Sequence, residues 1–202
     1  MNSSAITLAI TGASGVVYGF RLLEQLIKAQ QTVYLLLSTP AYTVIQTEMA
    51  LTLPEQPLEV QALLAERYQA KSGQLQVFGQ TQWMSPVASG SANIKSMVVC
   101  PCTGGTLGAI ANGLSRSLIE RAAEVTLKEH RQLILVSRET PVSVIQLENM
   151  LRLARAGALI LPANPGFYYQ PQQINDLVDF IVGRILDHLD IHHNLMPRWG
   201  QD

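Results

Sequence analysis

The residues best suited to chemistry lie between positions 97 and 128. An apolar run at residues 97–100 predicts a buried strand, and residues 102–106 (CTGGT) lead from it into an Ala- and Ile-rich helix. Glycines at such a turn let backbone N–H groups approach an anion, which the helix N-terminus also favours. Arg121 and Lys128 are two helical turns apart and share one face. A phosphorylated ligand is one interpretation; a tight turn followed by a solvated helix is the other.

The composition limits the classes of protein to consider. Hydrophobic residues make up 48% of the 202 residues and charged residues 14%, against a typical charged share of about 25%. So few charges predict a homo-oligomer with large buried interfaces. The net charge of −1, without a basic block, argues against a nucleic-acid partner. We expect a single domain over residues 1–202 and a cytoplasmic location, because no apolar run approaches the ~20 residues of a membrane span and no signal peptide is recognisable.

Strand and helix patterns alternate along the chain. Strands are predicted at residues 5–10, 32–37, 74–78, 97–100, 132–136 and 158–161, and helices at 16–27, 40–48, 58–68, 142–156 and 174–189. This alternation predicts a three-layer α/β fold with a doubly wound parallel sheet, in which ligands bind beyond the carboxyl ends of the strands. The loops that follow strand ends should therefore converge. They are residues 11–15, 38–40, 101–106 and 138–141.

Proline positions supply the predicted element boundaries. Pro101 is expected to stop the strand before it, since proline lacks a backbone N–H. Thr39 is expected to cap a helix that has Pro40 at its first position. Thr140 and Pro141 are expected to start the next helix in the same way.

The loop at residues 11–15 narrows the class of nucleotide that could bind. Residues 11–15 (TGASG) resemble a nucleotide-binding turn but lack the G-x-G-x-x-G fingerprint. A dinucleotide-binding site usually has an acidic residue after the second strand, but this chain has Ser38 and Thr39 at that place. The string is also found in short-chain dehydrogenases, but their Tyr-x-x-x-Lys is absent. A mononucleotide such as FMN fits these residues better.

A metal site is the weaker interpretation of the remaining polar residues. Cys100 and Cys102 are too close together for a disulfide framework and are expected to be buried free thiols. Asp187, His188 and His192 have ligand-like spacing but lie near a polar C-terminus. The acidic pairs at 176/179 and 187/190 are expected to solvate a helix face. No metal is predicted.

Several short motifs occur in collinear order over nearly the whole chain. Together they are more specific for one protein family than any single motif is. They lie at residues 10–15 (ITGASG), 100–107 (CPCTGGTL), 118–124 (LIERAAE), 127–129 (LKE), 138–141 (RETP), 147–151 (LENML), 160–163 (ILPA), 166–168 (GFY), 176–180 (DLVDF) and 198–200 (RWG). Together they resemble the flavin prenyltransferases of the UbiX type. The departures are Ser137 in place of the usual Pro, Gln146 where His is frequent, and the variable patch at 115–117.

This resemblance implies a fold, an activity and an assembly. The fold would be Rossmann-like or flavodoxin-like, in a dodecamer that binds FMN where subunits meet. The enzyme would join the dimethylallyl group of dimethylallyl monophosphate to N5 and then C6 of reduced FMN, without a metal. The product, prenylated FMN, would pass to a UbiD-type decarboxylase.

The resemblance also assigns roles to residues. FMN would contact Gly12, Ala13, Ser14, Ser38, Thr103, Gly104, Gly105, Thr106 and Arg121. The substrate would contact Trp83, Ser89, Gly90, Lys128, Arg138, Tyr168, Arg184 and Trp199, with Lys128, Arg138, Tyr168 and Arg184 around its phosphate. Catalytic roles would fall to Ser14, Glu48, Lys128 and Glu139, with Glu139 protonating the leaving phosphate and Ser14 relaying a proton near N5.

Two other functions remain open from the sequence. FMN-dependent cysteine decarboxylases share the fold, but they carry a catalytic His in the N-terminal third and a Pro-x-Met-Asn clasp. This chain has no His before His130, and the corresponding loop at residues 162–165 reads PANP. A non-catalytic FMN carrier would bind flavin without needing Lys128, Arg138 or Arg184.

Overall fold

A parallel sheet of six strands runs through the part of the chain that the structure describes, residues 4–196. In this computed structural model the strands are β1 (Ala5–Ile10), β2 (Val33–Leu37), β3 (Leu75–Phe78), β4 (Ile94–Cys102), β5 (Gln132–Ser137) and β6 (Leu159–Ile160). Their order is β3-β2-β1-β4-β5-β6, with parallel pairing between neighbours. The predicted doubly wound parallel sheet is confirmed, and its order is that of nucleotide-binding Rossmann sheets.

Helices cover both faces of the sheet and complete the predicted three layers. Those described are α1 (Val16–Lys28), α2 (Thr39–Met49), α3 (Pro57–Tyr68), α4 (Gly104–Ala111), α5 (Leu118–Lys128), α6 (Val144–Arg155) and α7 (Ile174–His188). Helices α1, α2, α3 and α7 pack on one face, and α4, α5 and α6 pack on the other. Within residues 4–196, no helix is both long and apolar enough to cross a membrane.

Successive strand residues belong alternately to the two hydrophobic cores. Leu8 and Ile10 pack in the core beneath α1 and α7, whereas Ala9 between them packs in the core beneath α4 and α5. In β4, Val98 and Val99 divide in the same way. Because both faces are covered, the central parts of these strands are mostly apolar in the sequence, as is usual for parallel sheets.

Two of the predicted helix starts are wrong. Ser38 caps α2, since its hydroxyl oxygen accepts a hydrogen bond from Ala41 N–H (3.3 Å). Helix α6 begins after Ser143, not at Thr140 and Pro141. The reason is a reciprocal capping box, in which Ser143 and Gln146 each pair with the other's backbone N–H.

Pro101 lies inside β4, so the prediction that it stops the strand is also wrong. Proline lacks only the backbone N–H, and its carbonyl oxygen accepts hydrogen bonds from Thr11 N–H (3.2 Å) and from the Thr11 hydroxyl (2.7 Å). The β4–β5 ladder is irregular between Val99 and Cys102, which accommodates a residue without an N–H.

The close crossing of α1 over β4 yields a stability prediction. A Cβ at Gly19 would overlap the Cys100 carbonyl oxygen and lie 2.9 Å from Ile10 Cγ1. We expect Gly19→Ala to lower the free energy of unfolding by about 2 kcal/mol, despite the roughly 1 kcal/mol that alanine gains in helix propensity. Chemical denaturation measures this. Gly108→Ala in α4 is the control, because its Cβ would lie 3.4 Å from Asn149 Nδ2, and it should lose no stability. Equal stability of the two variants would contradict the close crossing.

Candidate functional site

The strand order reverses between β1 and β4, and the loops after these strands are held together by one threonine. The Thr11 side chain is buried, and its hydroxyl donates to the Pro101 carbonyl (2.7 Å) and accepts from Thr103 N–H (2.9 Å). Sheets of this type bind ligands in the crevice at such a reversal point. The strand order therefore places the expected ligand crevice between the TGASG and CTGGT segments.

The other two loops reach the same crevice, which confirms the predicted convergence. A Cβ at Gly12 would overlap Pro40, so the loop after β2 packs against the loop after β1. Arg138 N–H donates to the Cys102 carbonyl (3.4 Å). A Cβ at Gly104 would lie 3.4 Å from Glu139 Oε2, so the loop after β5 borders the start of α4.

The N-terminus of α4 presents open backbone to this crevice at Gly105, while the side chains of Gln146 and Glu139 lie next to Gly104. Thr103 caps the helix, with its hydroxyl oxygen accepting from Thr106 N–H (3.1 Å). Gly104 and Gly105 form the first turn, and at Gly105 an added Cβ would meet no atom closer than 4.0 Å. A phosphate can therefore approach the backbone at the positive end of the helix. These residues fit the phosphate of FMN.

The N-terminus of α1, on the same edge of the sheet, is already paired with a carboxylate. Glu48 accepts hydrogen bonds from Gly15 N–H (2.9 and 3.1 Å to its two oxygens) and from Val16 N–H (3.1 Å). The adjoining Ser14 is exposed. The structure thus brings Glu48 to the loop that carries Ser14, and an FMN phosphate is expected at α4, not at α1.

Glu139 is held by a residue that the sequence did not mark as part of the site. Gln146 Nε2 donates to Glu139 Oε2 (3.0 Å), while Gln146 Oε1 accepts from Ser143 N–H (2.8 Å). The cap therefore fixes which end of the amide faces Glu139. The S-x-x-Q pattern signals the cap in the sequence, but the contact with Glu139 depends on the fold of the intervening loop. Nearby, the buried Arg138 Nε has no hydrogen-bond partner among the described residues, which suits a site for an anion.

A second group of predicted residues lies along α5. Arg121 Nε donates to the Ala88 carbonyl (3.2 Å), and its NH1 donates to Glu124 Oε2 (2.9 Å). A Cβ at Gly90, next to Ser89, would lie 3.1 Å from Lys128 Nζ. Lys128 pairs with Glu129, and this hydrogen bond lowers the pKa of the Glu129 carboxyl. Ser89, Gly90 and Lys128 are therefore neighbours.

Lys128, at the end of α5, is separated from Arg138 and Glu139 by the length of the sheet. Lys128 precedes β5 and Glu139 follows it, and a six-residue strand spans roughly 20 Å at about 3.3 Å per residue. Arg184 also lies toward the N-terminal edge, because the end of α7 meets the start of β5 through a hydrogen bond from Gln132 Nε2 to the His188 carbonyl (2.7 Å). Within one subunit, Lys128 and Arg184 do not join Arg138 and Glu139.

The aromatic candidates are exposed. Tyr168, in the loop after β6, is 78% exposed, and Trp83, in the loop before β4, is 44% exposed. Trp83 lines an open hollow of about 480 Å³ together with Phe78 and Met84. Trp199 lies outside the described residues.

The acidic residues of α7 were expected only to solvate a helix face. In the structure they also form specific contacts. Asp176 caps the helix, and Asp179 accepts from Arg21 at both oxygens (2.7 and 2.9 Å), which ties α7 to α1. Asp187 pairs with Arg184 and His193. Of these contacts, the one between Asp179 and Arg21 joins elements far apart in the chain, so a sequence-based interpretation could not have found it.

The cysteines are buried free thiols, as predicted. Burial raises the pKa of Cys102 to about 12, so this thiol is protonated at neutral pH. Across residues 4–196, no three His, Cys, Asp or Glu side chains form a group that could hold a metal ion.

Comparison with known proteins identifies the family. A family model described as Flavoprotein matches residues 1–186. Flavin prenyltransferase UbiX of Pseudomonas aeruginosa is 55% identical over 196 residues, covering 97% of this chain and 94% of that protein. The solved structure of AnUbiX (PadA1) in complex with FMN and dimethylallyl pyrophosphate has a TM-score of 0.86 at 39% identity, covering 98% of each chain. A dodecameric FMN-dependent UbiX-like decarboxylase from Escherichia coli O157:H7 has a TM-score of 0.84 at 36% identity, covering 96% of this chain and 98% of that one.

The resemblance inferred from the motifs is thereby confirmed. The chain belongs to the Flavoprotein family and, within it, to the flavin prenyltransferases of the UbiX type.

Proposed function

We propose that this protein transfers a dimethylallyl group from dimethylallyl monophosphate to N5 and C6 of reduced FMN, giving prenylated FMN. Prenyl transfer to flavin is the activity named for its relatives. The observation that carries the proposal is the open N-terminus of α4, with Arg138 and Glu139 beside it. When bound, reduced FMN supplies the ring atoms that accept the prenyl group.

The FMN site is assigned to the loops at the carboxyl edge of β1, β2 and β4. The phosphate would lie on the first turn of α4, and the remaining contacts would come from the loops that converge there, with Arg121 on α5. These residues are Gly12, Ala13, Ser14, Ser38, Thr103, Gly104, Gly105, Thr106 and Arg121. Ser14 is placed to relay a proton near the flavin, and Glu48 fixes the loop that carries it.

Loss of the allylic phosphate is the step that needs the charged residues. The C–O bond breaks only if the charge on the departing phosphate is stabilised, which cations and hydrogen-bond donors can do. We assign this role to Lys128, Arg138, Arg184 and Tyr168. Glu139 is the acid that donates a proton to the phosphate: Gln146 donates a hydrogen bond to its Oε2, so Oε1 is the oxygen that would carry the proton.

Water must be kept away from the developing allylic cation. The half-exposed Trp83 offers its π face for this purpose, and Ser89 and Gly90 line the approach to Lys128. Trp199 is proposed for the same substrate-binding role as Trp83.

A site of this composition requires more than one subunit. Lys128 and Arg184 cannot reach Glu139 of their own chain across the roughly 20 Å length of β5. On the surface, α6 exposes Val144 (69%), Ile145 (70%) and Leu147 (55%), as expected of a helix that packs in an interface. We therefore propose a homo-oligomer, a dodecamer like the Escherichia coli neighbour, in which one copy supplies Lys128 to the Glu139 of another.

The use of the product is the remaining part of the proposal. We infer that prenylated FMN is passed to a UbiD-type decarboxylase and that the whole chain acts as one FMN-binding domain. The cytoplasmic location expected from the sequence stays a prediction.

Prenyl transfer is tested by mass spectrometry of the flavin after anaerobic incubation with reduced FMN and dimethylallyl monophosphate. We expect flavin heavier by one C₅H₈ unit. Lys128→Ala and Glu139→Ala should each lower turnover by about 100-fold or more, while FMN affinity from fluorescence quenching stays unchanged. Lys71→Ala and Glu66→Ala, at exposed positions far from the crevice, are the matched controls. Unmodified flavin from the wild type would favour the carrier or the cysteine decarboxylase, and full turnover in both variants would refute the assigned roles.

The shared site is tested by mixing inactive subunits. Lys128→Ala and Glu139→Ala chains, co-expressed with different tags and purified as mixed oligomers, should regain about a quarter of wild-type activity. This follows because half of the Lys128 donors and half of the Glu139 donors are intact, independently of each other. Arg138→Ala mixed with Glu139→Ala is the control and should stay inactive, since one loop supplies both residues. Lack of recovery in the first mixture would place Lys128 and Glu139 in the same subunit's site.

A further inference from the structure

The guanidinium of Arg184 is held by a residue one helical turn away. Arg184 NH1 donates to Asp187 Oδ2 (2.9 Å), and both side chains are on the outer surface of α7, with 47% and 23% exposure. A guanidinium carries five N–H donors in a planar fork. The contact through NH1 leaves Nε and NH2 to bind a phosphate from one side.

The other oxygen of Asp187 is paired with a buried histidine. His193 Nε2 lies 3.1 Å from Asp187 Oδ1, and the His193 side chain is only 4% exposed. His193 Nδ1 accepts a hydrogen bond from Leu195 N–H (3.3 Å), so Nδ1 carries no proton and Nε2 is the donor to Asp187. This assignment makes His193 a neutral donor and Asp187 an acceptor at both oxygens.

The histidine ring is fixed by the helix beneath it. A Cβ at Gly183 would lie 3.0 Å from His193 Cε1 and 3.2 Å from Met196 Cε, so the ring packs directly on the backbone of α7. The chain after α7 turns back over the helix through a hydrogen bond from Ile191 N–H to the Leu186 carbonyl (3.0 Å). The position of the ring is therefore set by the fold, and through Asp187 it sets the position of the guanidinium.

We propose that Asp187 and His193 are positioning residues for Arg184, which hold its guanidinium ready for the phosphate of the dimethylallyl donor. The proposal rests on the proposed function, because it takes Arg184 as a phosphate ligand. An unrestrained arginine loses rotamer freedom when it binds, and prior restraint by Asp187 and His193 removes part of that cost. A surface ion pair between residues i and i+3 adds little stability by itself, so a purely structural role would leave substrate binding unchanged.

The test measures KM for dimethylallyl monophosphate in Asp187→Asn. We expect KM to rise about tenfold, as for residues that orient a ligand-binding group, with FMN affinity and thermal stability unchanged. Asp190→Asn is the matched control, because Asp190 is exposed just after the end of the same helix. The KM of this variant should equal that of the wild type. Asp187→Glu, which keeps the charge but moves the carboxylate by one methylene, gives a second measurement if Asp187→Asn does not fold, and the same rise is expected. An unchanged KM in the folded variant would overturn the proposal.

A double-mutant cycle separates this inference from the proposed function. Arg184→Ala should itself raise KM, and Asp187→Asn should then have no further effect, because it acts only through the guanidinium. His193→Ala should likewise raise KM in the wild type and not in the Arg184→Ala background. Additive effects would overturn the positioning role while leaving Arg184 as a phosphate ligand. An unchanged KM in Arg184→Ala would remove the phosphate role and the positioning role together.

Discussion

The arrangement of the crevice depends on the hydroxyl of Thr11. This group is buried, where an unpaired hydroxyl would cost about 1–3 kcal/mol, and it is satisfied as donor to Pro101 and as acceptor from Thr103. Pro101 lies near the end of β4 and Thr103 caps α4, while Thr11 itself starts the loop that leads into α1. One side chain therefore fixes two helix N-termini relative to each other, and everything that the crevice binds is placed by that pairing.

The two helix N-termini then differ because of one acid. Glu48 already satisfies the first N–H groups of α1, whereas at Gly105 in the first turn of α4 an added Cβ would meet no atom closer than 4.0 Å. A phosphate at α1 would have to displace the carboxylate that is bound to the helix N-terminus, whereas the backbone at Gly105 of α4 stays accessible. On the proposed assignment, the carboxylate that binds the N-terminus of α1 would favour the phosphate at α4 and would hold the loop that carries Ser14 beside the flavin.

The sequence predicted the features that depend on local pattern. Alternating apolar runs indicated the sheet and its layers, and the rule that ligands bind beyond strand ends indicated the crevice. Pro101, Ser143 and Asp179 were misjudged because their roles depend on partners distant in the chain or on a competing cap nearby. The resemblance to the flavin prenyltransferases supplied the roles of single residues, which no periodicity encodes. Neither approach revealed Gln146 as the partner of Glu139, since that contact exists only once the loop has folded.

Assembly changes what the basic residues can do. In the described part of one subunit, Lys128 is paired with Glu129, Arg121 with Glu124 and Arg184 with Asp187, so each cation has an acid beside it. A single subunit therefore presents no concentrated positive field to a phosphate, and its acid Glu139 lies a strand length away from Lys128. In the proposed assembly, the N-terminal edge of one sheet would meet the carboxyl edge of another, and Lys128 would join Arg138, whose buried Nε has no hydrogen-bond partner among the described residues. On the proposed assignment, subunit contact would therefore not only enclose the site but also bring together cations that one subunit keeps apart, around the phosphate that leaves.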